Sequence, residues 1–127
     1  MIDHVSIAVR DLAAMARFYE AVLATLDYAR LVTRPATIGF GKKYPELWLN
    51  ERRGMTRDDP DSGNHICLRA SSVDAVQAFH VAALKGGGTS DGAPGSRSGH
   101  VAGYYAAFIL DPEGNKIEAA TFAGGRG

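Results

Sequence analysis

The chain has 127 residues, of which 46% are hydrophobic and 22% charged, and this predicts a single domain with a well-buried core. Its 14 basic residues balance 14 acidic ones. Because nucleic acid and anionic membranes select a basic surface, the zero net charge argues against both as partners.

The first half of the chain predicts a strand, a helix and three further strands. An alternating run at 1–9 indicates the strand, and Asp11 is placed to cap the helix that follows. An apolar stripe at helical spacing then extends from Leu12 to Leu26. Three strand-like runs complete this half, at 28–33, 37–41 and 46–50.

The same order begins again after a polar loop at 52–63. A strand at 64–69 precedes a capping box at 71–74, and the helix that follows is stopped by the glycines at 86–88. The remaining strands are predicted near Thr89, at 104–110 and at 115–122.

The two halves align at a constant offset, which places His4 on His65 and Phe18 on Phe79. Each half is therefore a βαβββ module, module one covering about 1–52 and module two about 63–123. Because 127 residues do not fit two independent domains comfortably, the sequence predicts one α+β domain, 1–127, in which the modules pair.

Strand alternation gives each module one histidine and one glutamate that are candidates for a shared site. His4 and His65 lie on the first strands, and Glu46 and Glu118 lie on the last strands. Two imidazoles and two carboxylates that meet in a cup would bind a divalent metal ion such as Zn, Ni, Co, Fe or Mn. A single strand histidine is more often structural, and the repeated pairing is what favours ligands.

Four segments of the chain resemble the vicinal oxygen chelate superfamily of glyoxalases, bleomycin resistance proteins and extradiol dioxygenases. They are IDHVSIAVRDLAAMARFYEAVL, PELWLN, GNHICLRA and GYYAAFILDPEGNKIEAA. The resemblance implies paired βαβββ modules that form a curved, cup-like mixed sheet with the helices outside. It also implies that His4, His65 and Glu118 are metal ligands and that Glu46 occupies the position of the fourth ligand in glyoxalase I-like members.

Several other side chains are candidates for contact with a small-molecule substrate. Trp48 shares the face of Glu46 and could stack on a substrate, or it could fill the core. Of Tyr104 and Tyr105, alternation sends one inward, and Tyr105 is the one expected there.

A glycine-rich loop predicted at 92–102 offers two further substrate-binding candidates, Arg97 and His100. The loop could act as a lid over the site, or it could be an ordinary solvated loop. Cys67, the single cysteine, lies in an apolar run and is expected to be a buried, inert thiol.

The favoured function is that of a metal-dependent lyase or isomerase of glyoxalase I type. The metal would bind two adjacent oxygens of a hydroxycarbonyl compound, while Glu118 and Glu46 would take and return a proton. The alternatives are a ring-cleaving Fe or Mn dioxygenase that uses His4, His65 and Glu118, and a non-enzymatic drug-binding protein of the resistance type.

A cytoplasmic homodimer is the expected form of this protein. No apolar stretch approaches the roughly 20 residues of a membrane span, and no secretory leader opens the sequence. Dimers are common in the family that the chain resembles. The modules of a dimer can pair within one chain or exchange between two, and the sequence leaves both arrangements open.

Overall fold

The computed structural model describes residues 1–57, 61–98 and 101–122. The elements of this part are β1 (Val5–Val9), α1 (Leu12–Ala24), β2 (Ala29–Thr33), β3 (Thr37–Gly41), β4 (Pro45–Glu51), β5 (Ile66–Arg69), α2 (Val73–Lys85), β6 (Thr89–Ser96), β7 (Tyr104–Leu110) and β8 (Lys116–Phe122). Neither helix of the described ranges is both long and apolar enough to span a membrane.

The strands form two mixed four-stranded sheets, in the orders β1-β4-β3-β2 and β5-β8-β7-β6. In each sheet the first strand of the module runs parallel to the last, and the remaining neighbours are antiparallel. The predicted α+β fold of two βαβββ modules is therefore confirmed. The strand expected near Thr89 is longer than the sequence indicated and extends to Ser96.

Both helices begin at the capping residues that the sequence predicts. The Asp11 carboxylate accepts a hydrogen bond from the Ala14 amide at 3.0 Å, and the Ser72 hydroxyl accepts one from the Ala75 amide at 3.1 Å. Each bond satisfies a backbone donor that has no partner inside the helix. The caps fix where the chain leaves β1 and β5, the strands that follow the two candidate histidines.

One hydrophobic core joins the two modules. Side chains from both helices and both sheets form a single buried cluster, and α1 packs directly against α2. The larger contributors include Met15, Phe18, Tyr19, Val22, Phe40, Leu47, Leu49, Val76, Phe79, Ile109 and Ile117. Since strand side chains alternate between faces, the face of each sheet that is not in this core remains available for polar side chains.

The turn between β7 and β8, residues 111–115, fixes module two against module one. The Glu113 carboxylate accepts hydrogen bonds from the backbone amides of Arg10, at 2.6 Å, and Asp11, at 2.9 Å. These amides lie at the start of α1, where a negative charge is favourable. The bond partners are 103 and 102 positions apart in the sequence, so the contact closes the fold between modules.

Asp111 in the same turn is buried, and both oxygens of its carboxylate accept hydrogen bonds. It is 3% exposed and accepts bonds from the backbone amides of Glu113 and Asn115 and from the Tyr19 hydroxyl of α1, the last at 2.5 Å. Burial, and then the Asp111 carboxylate, raise the pKa of Tyr19 well above its ordinary value. The tyrosine therefore stays protonated and keeps donating across the module boundary.

We expect Tyr19→Phe to lower the free energy of unfolding by about 1–3 kcal/mol, because Asp111 loses a buried donor. Urea denaturation at pH 7 measures this loss, with Tyr44→Phe, at an exposed position, as the control.

The pH dependence gives a second test. Because the pKa of Tyr19 is higher in the folded chain than in the unfolded chain, protonated Tyr19 stabilises the fold below about pH 10, the ordinary pKa of tyrosine, and this contribution is lost as the pH rises further. The difference in unfolding free energy between wild type and Tyr19→Phe should therefore decrease above about pH 10, and a constant difference would contradict the assignment.

Candidate functional site

A buried carboxylate on β8 forms the centre of the candidate site. Glu118 lies between the core residues Ile117 and Ala119 but points to the opposite face of the sheet, and its side chain is 5% exposed. The His65 Nε2 atom lies 3.0 Å from Glu118 Oε1. The Tyr104 hydroxyl donates a short hydrogen bond to the other oxygen, Oε2. Both oxygens of the buried carboxylate are thus engaged.

The register of module two brings these side chains together. Cys67 is level with Glu118 across the parallel β5–β8 pair, and Phe108 is level with it across the antiparallel β7–β8 pair. The His65 ring lies 6.0 Å from the Phe108 ring. We call this surface the Glu118 face, defined by His65, Cys67, Tyr104, Phe108 and Glu118.

Tyr104 is held in its protonated form. Burial, followed by the hydrogen bond and charge of Glu118, raises the pKa of Tyr104 to about 12. At neutral pH the hydroxyl can only donate to Glu118, so it orients the carboxylate. When Glu118 is ionised, the bond to His65 requires a proton on Nε2, which assigns the tautomer of a neutral imidazole.

The other two predicted ligands lie apart from this pair. His4 precedes β1, its side chain is 52% exposed, and its Nδ1 atom is 2.7 Å from Asp3. Glu46 on β4 lies beside Tyr28, whose pKa is raised by burial and then by the charge and hydrogen bond of Glu46. Within residues 1–57, 61–98 and 101–122, no three His, Cys, Asp or Glu side chains are grouped closely enough to hold a metal ion.

Two neighbouring clefts contain the candidate histidines. The larger, of about 680 Å³, lies between β1 and β5 and includes His65 and Ser6. The smaller, of about 200 Å³, includes His4, Ser6 and Trp48. Trp48 is therefore at the surface of a cleft rather than in the core, and the Arg34 guanidinium lies 5.4 Å from its ring.

Two expectations about side-chain direction are wrong. Tyr105 packs against the core, and its hydroxyl accepts a hydrogen bond from Gln77 of α2 at 3.1 Å; Tyr104 is the tyrosine on the Glu118 face. Cys67 is exposed, because it lies opposite the core-facing Leu68. Counting alternate residues across the β7–β8 hairpin would have assigned Tyr104 and Phe108 to the site face.

Of the two candidates from the glycine-rich loop, His100 lies outside the described residues. The Arg97 guanidinium lies over the Phe108 ring, 5.6 Å from its centre.

Paired βαβββ modules with a histidine and a glutamate on one sheet face define the vicinal oxygen chelate class. The family model for the Glyoxalase/Bleomycin resistance protein/Dioxygenase superfamily matches residues 1–119. The chain belongs to this superfamily.

Solved structures agree with this assignment. A glyoxalase/bleomycin resistance protein from Albidiferax ferrireducens T118 is 30% identical, with a TM-score of 0.82, and the match covers 93% of this chain and 96% of that one. Two less similar structures share the fold. A glyoxalase/bleomycin resistance protein/dioxygenase family enzyme from Burkholderia phytofirmans PsJN is 21% identical, with a TM-score of 0.74, and the match covers 95% of this chain and 98% of that one. The fosfomycin resistance protein FosX from Mesorhizobium loti is 19% identical, with a TM-score of 0.69, and the match covers 95% of this chain and 91% of that one. No curated protein matches the chain.

We expect Glu118→Gln to lower the pKa of Tyr104 from about 12 toward its ordinary value of 10. An amide carries no negative charge, so loss of the Tyr104 proton would cost less, while the contribution of burial would remain. NMR titration with ¹³C-labelled tyrosine rings resolves the five tyrosines, and Tyr19 serves as an internal control. An unchanged titration of Tyr104 would show that Glu118 does not hold its proton.

Proposed function

We propose that this protein is a metal-dependent lyase or isomerase of the glyoxalase type that acts on a small hydroxycarbonyl compound. The observation that carries the proposal is the His65–Glu118 pair, held on an open sheet face by Tyr104. Superfamily membership supports a chemistry in which two adjacent substrate oxygens are bound together.

The donor atoms of the pair suit a divalent ion such as Zn, Ni, Co, Fe or Mn. His65 Nε2 and Glu118 Oε1 are 3.0 Å apart, and two neighbouring ligands at about 2.1 Å from one metal ion stand at a similar distance. A bound ion would replace the proton that Nε2 shares with Glu118, and this proton would be released to solvent. A bound ion would polarise the substrate oxygens and stabilise negative charge that develops on them. Tyr104 would hold Glu118 in one orientation through the oxygen that faces away from His65.

We propose that a second copy of the chain supplies His4 and Glu46. Each chain offers two incomplete sets: the His65–Glu118 pair on module two, and an exposed His4 on module one. A homodimer in which module one of one chain faces module two of the other would bring four ligands to each site. This arrangement explains why three ligand side chains do not group within the described part of one chain.

Glu118 and Glu46 are the proposed carriers of the substrate proton. A carboxylate that removes a proton from carbon must come within hydrogen-bond reach of it, and the two glutamates would approach from opposite modules. Tyr104 keeps its own proton at neutral pH, so it would position Glu118 rather than act as the base. The second carboxylate would return the proton to the neighbouring carbon.

We expect the wild-type dimer to bind one divalent ion per chain, measured by calorimetry with Ni²⁺ or Co²⁺ after removal of bound metal. His65→Ala, Glu118→Gln and His4→Ala should each weaken binding by about 100-fold or more, since loss of supporting residues alone costs 10–100-fold. His80→Ala is the matched control. His80 lies on α2 and is hydrogen-bonded to Ser90 on β6, away from the His65–Glu118 pair.

Absence of metal binding in the wild type, or equal loss in His80→Ala, would contradict the proposal. Thermal melting of each variant separates loss of the site from loss of the fold. Oxygen uptake with a catechol by the Fe-loaded protein would indicate the ring-cleaving dioxygenase instead.

A further inference from the structure

Two cations flank the Phe108 ring on the Glu118 face, and only one of them is paired with a carboxylate among the described residues. The Lys116 ammonium lies 5.4 Å from the ring centre and the Arg97 guanidinium 5.6 Å from it. Lys116 is neutralised by Asp91, at 2.8 Å. Arg97 has no carboxylate within 4.0 Å among the described residues, so its charge is uncompensated there.

Arg97 is held in one position by the chain around it. Its Nη1 group donates to the Gly95 carbonyl at 3.2 Å, and its Nη2 group donates to the Ala93 carbonyl at 2.8 Å. These bonds leave the Nε–H and one N–H of each terminal nitrogen without an acceptor in the described ranges. A fixed guanidinium loses little entropy when it binds a further ligand.

Two glycines on β6 leave the space that the guanidinium occupies. A Cβ atom at Gly92 would lie 3.3 Å from Arg97 Nη2 and 3.1 Å from Phe108 Cδ1. A Cβ atom at Gly95 would lie 3.2 Å from Arg97 Nη1. Larger side chains at these positions would push Arg97 away from the ring. The absence of both side chains thus allows a planar cation to lie over Phe108.

Arg97 is also adjacent to the site itself. Its backbone amide donates to the Tyr104 carbonyl at 2.8 Å, and the Tyr104 hydroxyl is the group that orients Glu118. Phe108, which Arg97 covers, is level with Glu118 across the β7–β8 pair.

We propose that Arg97 binds an oxyanion of the substrate, so that the substrate is an anionic hydroxycarbonyl compound carrying a carboxylate, phosphonate or phosphate group. The inference rests on the proposed function and adds the substrate class. A planar guanidinium with free, parallel N–H donors matches two oxygens of one such group. The anion would lie at Arg97, and the hydroxycarbonyl would extend along Phe108 to His65 and Glu118.

The test compares three small hydroxycarbonyl probes: neutral dihydroxyacetone, hydroxypyruvate with a carboxylate, and dihydroxyacetone phosphate. Calorimetry measures their affinity for wild type, Arg97→Gln and Arg97→Lys, each with and without Ni²⁺. Arg30→Gln is the control, since Arg30 is paired with Glu20 in module one, away from the Glu118 face. All variants are also tested for Ni²⁺ binding, which reports on the metal site separately.

We expect wild type to bind at least one anionic probe about 10-fold or more tighter than dihydroxyacetone, since a charge-assisted bond contributes about 1.5–3 kcal/mol. Arg97→Gln should abolish this preference, and Arg97→Lys should restore part of it. The preferred anionic probe would identify a carboxylate or a phosphate-type group.

Equal binding of the three probes by wild type, or an unchanged preference in Arg97→Gln, would overturn the inference. An equal loss in Arg30→Gln would also overturn it. Because the anion preference is measured in metal-free protein as well, it can fail while Ni²⁺ binding holds, or hold while Ni²⁺ binding fails.

Discussion

Burial of the Glu118 carboxylate is the constraint on which the candidate site depends. A charge removed from water costs several kcal/mol unless hydrogen bonds and opposite charges replace the solvent. Tyr104 and His65 supply those bonds, but only when β5, β7 and β8 are in the observed register. A slip of one residue in β8 would turn Glu118 into the core and expose Ile117. The strand pairing of the β5-β8-β7-β6 sheet and the construction of the site therefore depend on the same register.

The 111–115 turn connects this requirement to the rest of the molecule. It begins β8 and so sets the height of Glu118 in the sheet, while Glu113 and Asp111 hold the same turn against α1. Movement of module one relative to module two would have to break these hydrogen bonds, of which the one between Tyr19 and Asp111 is buried. In the proposed dimer each chain would therefore present a rigid half-site, which is the condition for two chains to share ligands at fixed distances.

Patterns local in the sequence predicted much of this structure. The two helix caps follow from turn chemistry, and the pairing of His65 with Glu118 was indicated by their places on the first and last strands of a repeated module. The tyrosine was misassigned because the direction of Tyr104 depends on the register of β7 with β8, which a single strand does not encode. Cys67 was misassigned for a related reason, since an apolar run does not show which face meets the core. The distance from His4 to Glu118 depends on how whole modules assemble, and no periodic signal in the chain carries that information.

Division of the ligands between two chains is tested most directly by mixing two defective variants, His4→Ala and Glu118→Gln. Unfolding and refolding them together forms mixed dimers. If each site takes His4 from one chain and Glu118 from the other, a mixed dimer has one site with all four ligands, and tight Ni²⁺ binding returns although each variant alone binds Ni²⁺ about 100-fold or more weakly. If each site were built within one chain, both sites of the mixed dimer would remain defective. Failure of Ni²⁺ binding to return in verified mixed dimers would contradict the shared site.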